Sequence, residues 1–86
     1  MFKIKAIDGT NNISGKRIAQ IRKEKKLSQR KLAQKMQLLG FDVDHYFIRR
    51  VENGERFVTD IDLVIFSRSL EVPISELFLD ADSLLG

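Results

Sequence analysis

This 86-residue sequence contains no cysteine, one proline, one histidine and one tyrosine. Without cysteine there is neither a disulfide framework nor a thiolate metal site, a composition that suits a reducing cytoplasm. The lone His45 stands between Asp44 and Tyr46, and consecutive residues do not converge on a substrate. No nucleophile with a paired base is visible, and no glycine-rich loop could cradle a phosphate, so the expectation is a protein that is not an enzyme. Asp42, Asp44 and His45 would make a poor metal set, because a helix cap and an outward imidazole already explain them. Long apolar runs are missing too. Phe2-Lys3-Ile4-Lys5 interrupts any apolar stretch at once, and nothing approaches the length of a membrane span, so neither a secretory leader nor a membrane partner is expected and the localisation expected is cytoplasmic. No cofactor and no small-molecule ligand is implied.

What is present is charge, unevenly distributed. The net charge is +3, but residues 1–58 hold 14 Lys or Arg against 6 Asp or Glu, while residues 59–86 hold 1 against 6. A basic part joined to an acidic one is the footprint of a protein that lays one face on phosphates and turns the other away. Lys23, Lys25 and Lys26 have a plainer reading as a solvated helix end, where cations also suit the dipole. A chain this short buries only about 60 to 65 per cent of its unfolded surface, so a dimer partner would help to stabilise it.

The segment Leu27 to Gly54 reads as two short amphipathic helices joined by a turn. Ser28 is an N-cap, and Leu32, Ala33, Met36 and Leu39 repeat at helical spacing as one buried stripe, ended by Gly40. Asp44 caps a second helix in which Ile48 and Val51 face inward, while His45, Tyr46, Arg49 and Arg50 face outward. Asn53-Gly54 closes it. A helix that buries one side and exposes two arginines and two polar rings is suited to an anionic partner.

The run GKRIAQIRKEKKLSQRKLAQKM, then IRRVENGERFVTD, then LVIFSRSLEVPISELF resembles the helix-turn-helix domain of the Cro and phage-repressor (XRE) family over about residues 14–79. The resemblance implies an all-α, lambda-repressor-like bundle of about five short helices, whose second and third form the DNA-binding pair. It also implies that Gln29 contacts a phosphate at the major-groove edge, and that Arg22 pairs with Glu52 of the Glu-Asn-Gly motif. Arg22 as an exposed phosphate ligand is the alternative. Arg30 and Lys31 are further phosphate candidates, as are Asn53 and Arg56 just after the third helix. Base reading falls to His45, Tyr46, Arg49 and Arg50, since an arginine fork matches guanine O6 and N7. Phe47 is better explained as packing against Phe41 and Val43. The connection from Met36 to Asp44 is longer than in the tightest units, so the expected fold carries a lengthened turn, with helix 2 extended through Leu39.

Outside this pair, helix 1 is expected from about Gly15 to Lys25, capped by Asn12 or Ser14, with Ile18 and Ile21 inward. A fourth helix begins after Thr59, with Leu63, Phe66, Ser67 and Leu70 as its core stripe. Ile61 and Ile65 then form a spare apolar strip, either a dimer contact or, for Ile61, packing under the Phe57 loop. A last helix carries Leu77 and Phe78 inward. Residues 1–12 form an arm with a short strand pattern, Phe2, Ile4 and Ala6; pairing with its copy, lying on DNA and fraying all remain open. The domain proper spans 13–79, and the tail 80–86 offers Leu84 and Leu85 to a partner. The reading is a homodimeric, sequence-specific regulator of transcription, a repressor, with helix 3 in the major groove of a pseudo-palindromic double-stranded operator. Its rival is a protein-interaction module, such as an antitoxin-like partner built on the same bundle; RNA binding has only Tyr46 behind it.

Overall fold

The computed structural model describes residues 5, 6 and 9–78 of the chain. Four α-helices follow one another, α1 (Gly15–Glu24), α2 (Gln29–Leu38), α3 (His45–Glu52) and α4 (Asp60–Leu70), before a short 3-10 helix, Ile74–Phe78. Among the described residues there is no strand, and no helix is long and apolar enough to cross a membrane. The strand pattern of the N-terminal arm, like Leu84 and Leu85 of the tail, lies largely or wholly outside the described residues; Ala6 alone of the pattern is seen, buried.

Each helix starts where a short polar side chain can take an unpaired backbone N–H. Ser28 Oγ accepts from Lys31 N at 3.0 Å, and Asp44 Oδ1 accepts from Phe47 N at 3.0 Å. Thr59 and Asp62 form a reciprocal capping box at α4, with bonds of 3.1 and 3.0 Å. For α1 it is the Asn12 side chain, not that of Ser14, that accepts from Gly15 N, at 2.7 Å.

The buried faces meet in one core. Ile18 and Ile21 of α1, Leu32, Ala33 and Met36 of α2, Ile48 and Val51 of α3, and Ile65, Phe66 and Leu70 of α4 close on Leu77 of the 3-10 helix. Three expectations from the sequence need correction. Leu39 is 47% exposed, because α2 ends one residue earlier and Gly40, at φ +93°, turns the chain so that Phe41 packs on the core instead. In α4 the inner face is Asp62, Ile65, Phe66, Ser69 and Leu70, with Leu63 and Ser67 half-buried at its margin. Apolar residues at 61, 63, 64, 65 and 66 surround this helix, so its period did not single out one face. Ile65, at 9% exposed, therefore belongs to the protomer's own core and is not a spare dimer contact; Ile61, at 62%, remains on the surface.

The third correction is the last element. Three residues per turn separate neighbours by about 120°, so Leu77 is fully buried while Phe78 is exposed. Arg17 of α1 holds this turn, with Nε donating to the Glu76 carbonyl at 3.1 Å and Nη2 to Glu76 Oε2 at 3.0 Å. Sequence alone gave no sign of that clamp.

Glu71 closes α4 in the left-handed conformation, φ 58° and ψ 46°, where a Cβ is unfavourable. Its contact with Lys35, at 4.0 Å between exposed groups, contributes little. Glu71→Gly should stabilise the fold by about 0.5–1 kcal/mol, which is several degrees in Tm for a domain of this size. Thermal unfolding followed by circular dichroism checks this, and an unchanged or lower Tm would contradict the account.

Candidate nucleic-acid interface

With Asp44 fixing its first turn, α3 sorts its residues by the 100° step of the helix. Ile48 and Val51 are fully buried, and Tyr46, Arg49 and Arg50 point away from them into solvent together with Asn53. His45 lies half-buried at the edge of this face, its ring 4.1 Å from that of Tyr46 and tilted by 35°. The outward face therefore offers two guanidinium groups, a phenol and an amide in two turns of helix, with no acidic side chain among them.

The opposite flank of α3 carries Phe47, which is half-buried and stacks on Phe66 with centroids 5.8 Å apart. The Arg56 guanidinium lies over the Phe47 ring, 4.7 Å from its centroid. Asn53 and Phe47 are six residues apart, about 240° around the helix. Asn53 is the exposed C-cap of α3, while Arg56 packs on the flank that carries Phe47.

Behind α3 lies its mounting. Arg22 of α1 meets Glu52 in a two-pronged pair, Nε to Oε2 at 2.6 Å and Nη2 to Oε1 at 3.0 Å, with side chains only 10% and 7% exposed. The remaining Arg22 donor, Nη1, reaches the Leu27 carbonyl at 2.8 Å. Gln29 Nε2 donates to Glu52 Oε1 at 3.1 Å. Arg22 is therefore an internal tie and not an exposed phosphate ligand. Gln29 has committed one of its two amide hydrogens to this network, and the other stays available to an anion at the start of α2. Arg30 and Lys31 follow it in the first turn of α2, both exposed.

The long turn between α2 and α3 is ordered by its own bonds. Leu39 N and Phe41 N both donate to the Met36 carbonyl at 3.0 Å, and Gln37 Nε2 donates to the Val43 carbonyl at 2.7 Å. Phe41 and Val43 pack on the core from this turn. Asp42, Asp44 and His45 do not gather as a metal set: among the described residues no three His, Asp or Glu side chains come together.

One group of contacts was invisible in the sequence. Asn11 and Asn12 reach across to the end of α3 and the loop behind it, from 39 to 44 residues away. The first helix also approaches there so closely that a Cβ on Gly15 would sit 2.1 Å from the Val51 carbonyl oxygen. Such pairings arise only when helices 1 and 3 are packed, and no local pattern announces them.

An all-α bundle presenting a second capped helix of this kind is matched by a helix-turn-helix family model over residues 18–77. The chain belongs to the Cro/C1-type (XRE) helix-turn-helix family. Members of this family are DNA-binding regulators of transcription. Among solved structures, the restriction-modification controller protein C.AhdI from Aeromonas hydrophila is 29% identical, covering 76% of this chain and 87% of that one, with a TM-score of 0.67. The clp gene regulator ClgR from C. glutamicum shares the fold, with a TM-score of 0.73 at 18% identity over 86% of this chain and 90% of that one. No curated protein matches in sequence.

Within this helix-turn-helix domain the Arg22–Glu52 pair is the most consequential polar contact. Glu52→Ala strands a buried guanidinium and should cost about 3–5 kcal/mol, whereas replacing both partners by apolar residues of similar volume should recover much of the loss. Urea unfolding of Glu52→Ala and of Arg22→Met/Glu52→Leu measures both. A single-variant loss below about 1 kcal/mol would mean that the pair is effectively solvated.

Proposed function

We propose that the protein is a homodimeric, sequence-specific repressor that places α3 of each protomer in the major groove of a pseudo-palindromic operator. The observation that carries the proposal is the outward face of α3: Tyr46, Arg49 and Arg50 are all exposed on a helix whose inner side is locked into the core. Each arginine that forks onto guanine O6 and N7 contributes about 1–3 kcal/mol of discrimination. Tyr46 meets a thymine methyl or a phosphate, and His45, its ring beside that of Tyr46, reads a purine or holds the backbone near the helix start.

Gln29, Arg30 and Lys31 grip one strand from the start of α2, and Asn53 and Arg56 hold the backbone from the C-cap of α3 and from the flank that carries Phe47. These contacts give affinity and salt dependence but little choice of sequence. Two protomers related by a dyad would set half-sites about 34 Å apart. Surface apolar residues support the dimer: Ile61 and Val64 of α4 are both exposed, and Leu84 and Leu85 of the tail are further candidates. The restriction-modification controller role of C.AhdI, the 29% identical neighbour, agrees with a regulator of this type.

Selection of bound duplexes from a random library at near-physiological salt tests the proposal. A dyad-symmetric motif is expected, and Arg49→Ala/Arg50→Ala should bind it at least about 30-fold more weakly while sedimenting as the same dimer. Sequence-blind binding that salt abolishes equally in both proteins would refute the proposal and favour a protein-interaction role.

A further inference from the structure

The two asparagines ahead of α1 make an unusual set of bonds. Asn12 uses its whole amide: Oδ1 accepts from Gly15 N at 2.7 Å, while Nδ2 donates to the carbonyls of Val51, at 3.0 Å, and Arg56, at 2.9 Å. Asn11 adds its backbone N–H to the Gly54 carbonyl at 2.7 Å and its Nδ2 to the Glu55 carbonyl at 2.8 Å. Thr10 fits so closely against Gly54 that a Cβ there, already strained at φ +75°, would lie 2.5 Å from its methyl group. The carbonyls of residues 51, 54, 55 and 56 are thus all gathered by two adjacent asparagines, three by their side chains and that of Gly54 by the Asn11 backbone N–H, outside the 18–77 stretch that carries the family match.

We infer that Asn11 and Asn12 are positioning residues for DNA binding: they fix the path of the chain from Val51 to Arg56, and so where Asn53 and Arg56 meet the phosphate backbone. The inference rests on the DNA-binding reading and deepens it. An unpaired carbonyl at a helix end is free to adopt several exits. Here the loop's own bonds, from Glu55 N and Arg56 N to the Arg50 carbonyl at 2.9 and 3.3 Å, hold it to α3 alone. The asparagine bonds tie it to the start of α1 as well, whereas Arg22 lies in the last turn of that helix. They therefore add to the Arg22–Glu52 pair and the core contacts of Ile48 and Val51 a further tie against rotation of the reading helix.

Asn12→Ser separates this role from simple helix capping, because serine keeps an acceptor for Gly15 N but cannot reach the carbonyls of Val51 and Arg56. The probe is the duplex recovered from the random-library selection, titrated at several salt concentrations with wild type, Asn12→Ser and Asn11→Ala. Asn12→Ser should bind about tenfold more weakly, with a salt slope shallower by about 1 and unchanged helical content. Asn11→Ala should fall between it and wild type. Wild-type affinity and slope in Asn12→Ser would overturn the inference while leaving the DNA-binding reading intact; a wild-type protein that selects no duplex would overturn both.

Discussion

The Arg22–Glu52 pair is the contact on which the geometry of the DNA-binding surface depends. Two charges, almost wholly removed from water, are tolerated because each is bonded more than once: two bonds join them, Arg22 donates a third to the Leu27 carbonyl, and Glu52 accepts a third from Gln29. These four bonds join α1, the α1–α2 connection, the first residue of α2 and the last residue of α3. An apolar contact at the same place would hold the helices together but would permit them to slide. A bidentate pair has one good geometry, so it sets the angle at which α3 leaves the body.

From that anchor the reading surface follows. Capping by Ser28 and Asp44 fixes where α2 and α3 begin, and hence which of their residues point outward. Ile48 and Val51 hold α3 down, Phe47 supports its far flank through Phe66, and Arg56 lies across Phe47. What is left facing solvent is Tyr46, Arg49, Arg50 and Asn53. On the proposed reading, affinity and sequence choice divide between the margins and the centre of one surface, with backbone-directed groups around a central row that reaches base edges.

Much of this was legible in the sequence, for reasons that are local. Ser28, Asp44 and Thr59 announce helix starts because a cap needs only its own next three residues. The inner face of α3 was legible because Ile48 and Val51 are apolar while Tyr46, Arg49 and Arg50 are polar or charged. The Arg22–Glu52 pair was reached through family resemblance, since 30 residues separate its partners. The inner face of α4 was misread for the opposite reason: an apolar residue at nearly every position from 61 to 66 leaves no contrast for periodicity to detect. The Asn11–Asn12 bonds and the Arg17 clamp were missed because they depend on tertiary packing, and an asparagine before a helix reads first as a cap.

On the proposed reading, the outward face of α3, mounted on a buried ion pair, is the surface that meets DNA. Amide chemical-shift mapping of the full chain, titrated with a selected operator duplex, tests it most directly. The largest changes are expected on residues 28–31 and 45–56, with the exposed side of α4 nearly unmoved. Changes concentrated instead on Ile61, Val64 and the 3-10 helix, with α3 unaffected, would contradict it.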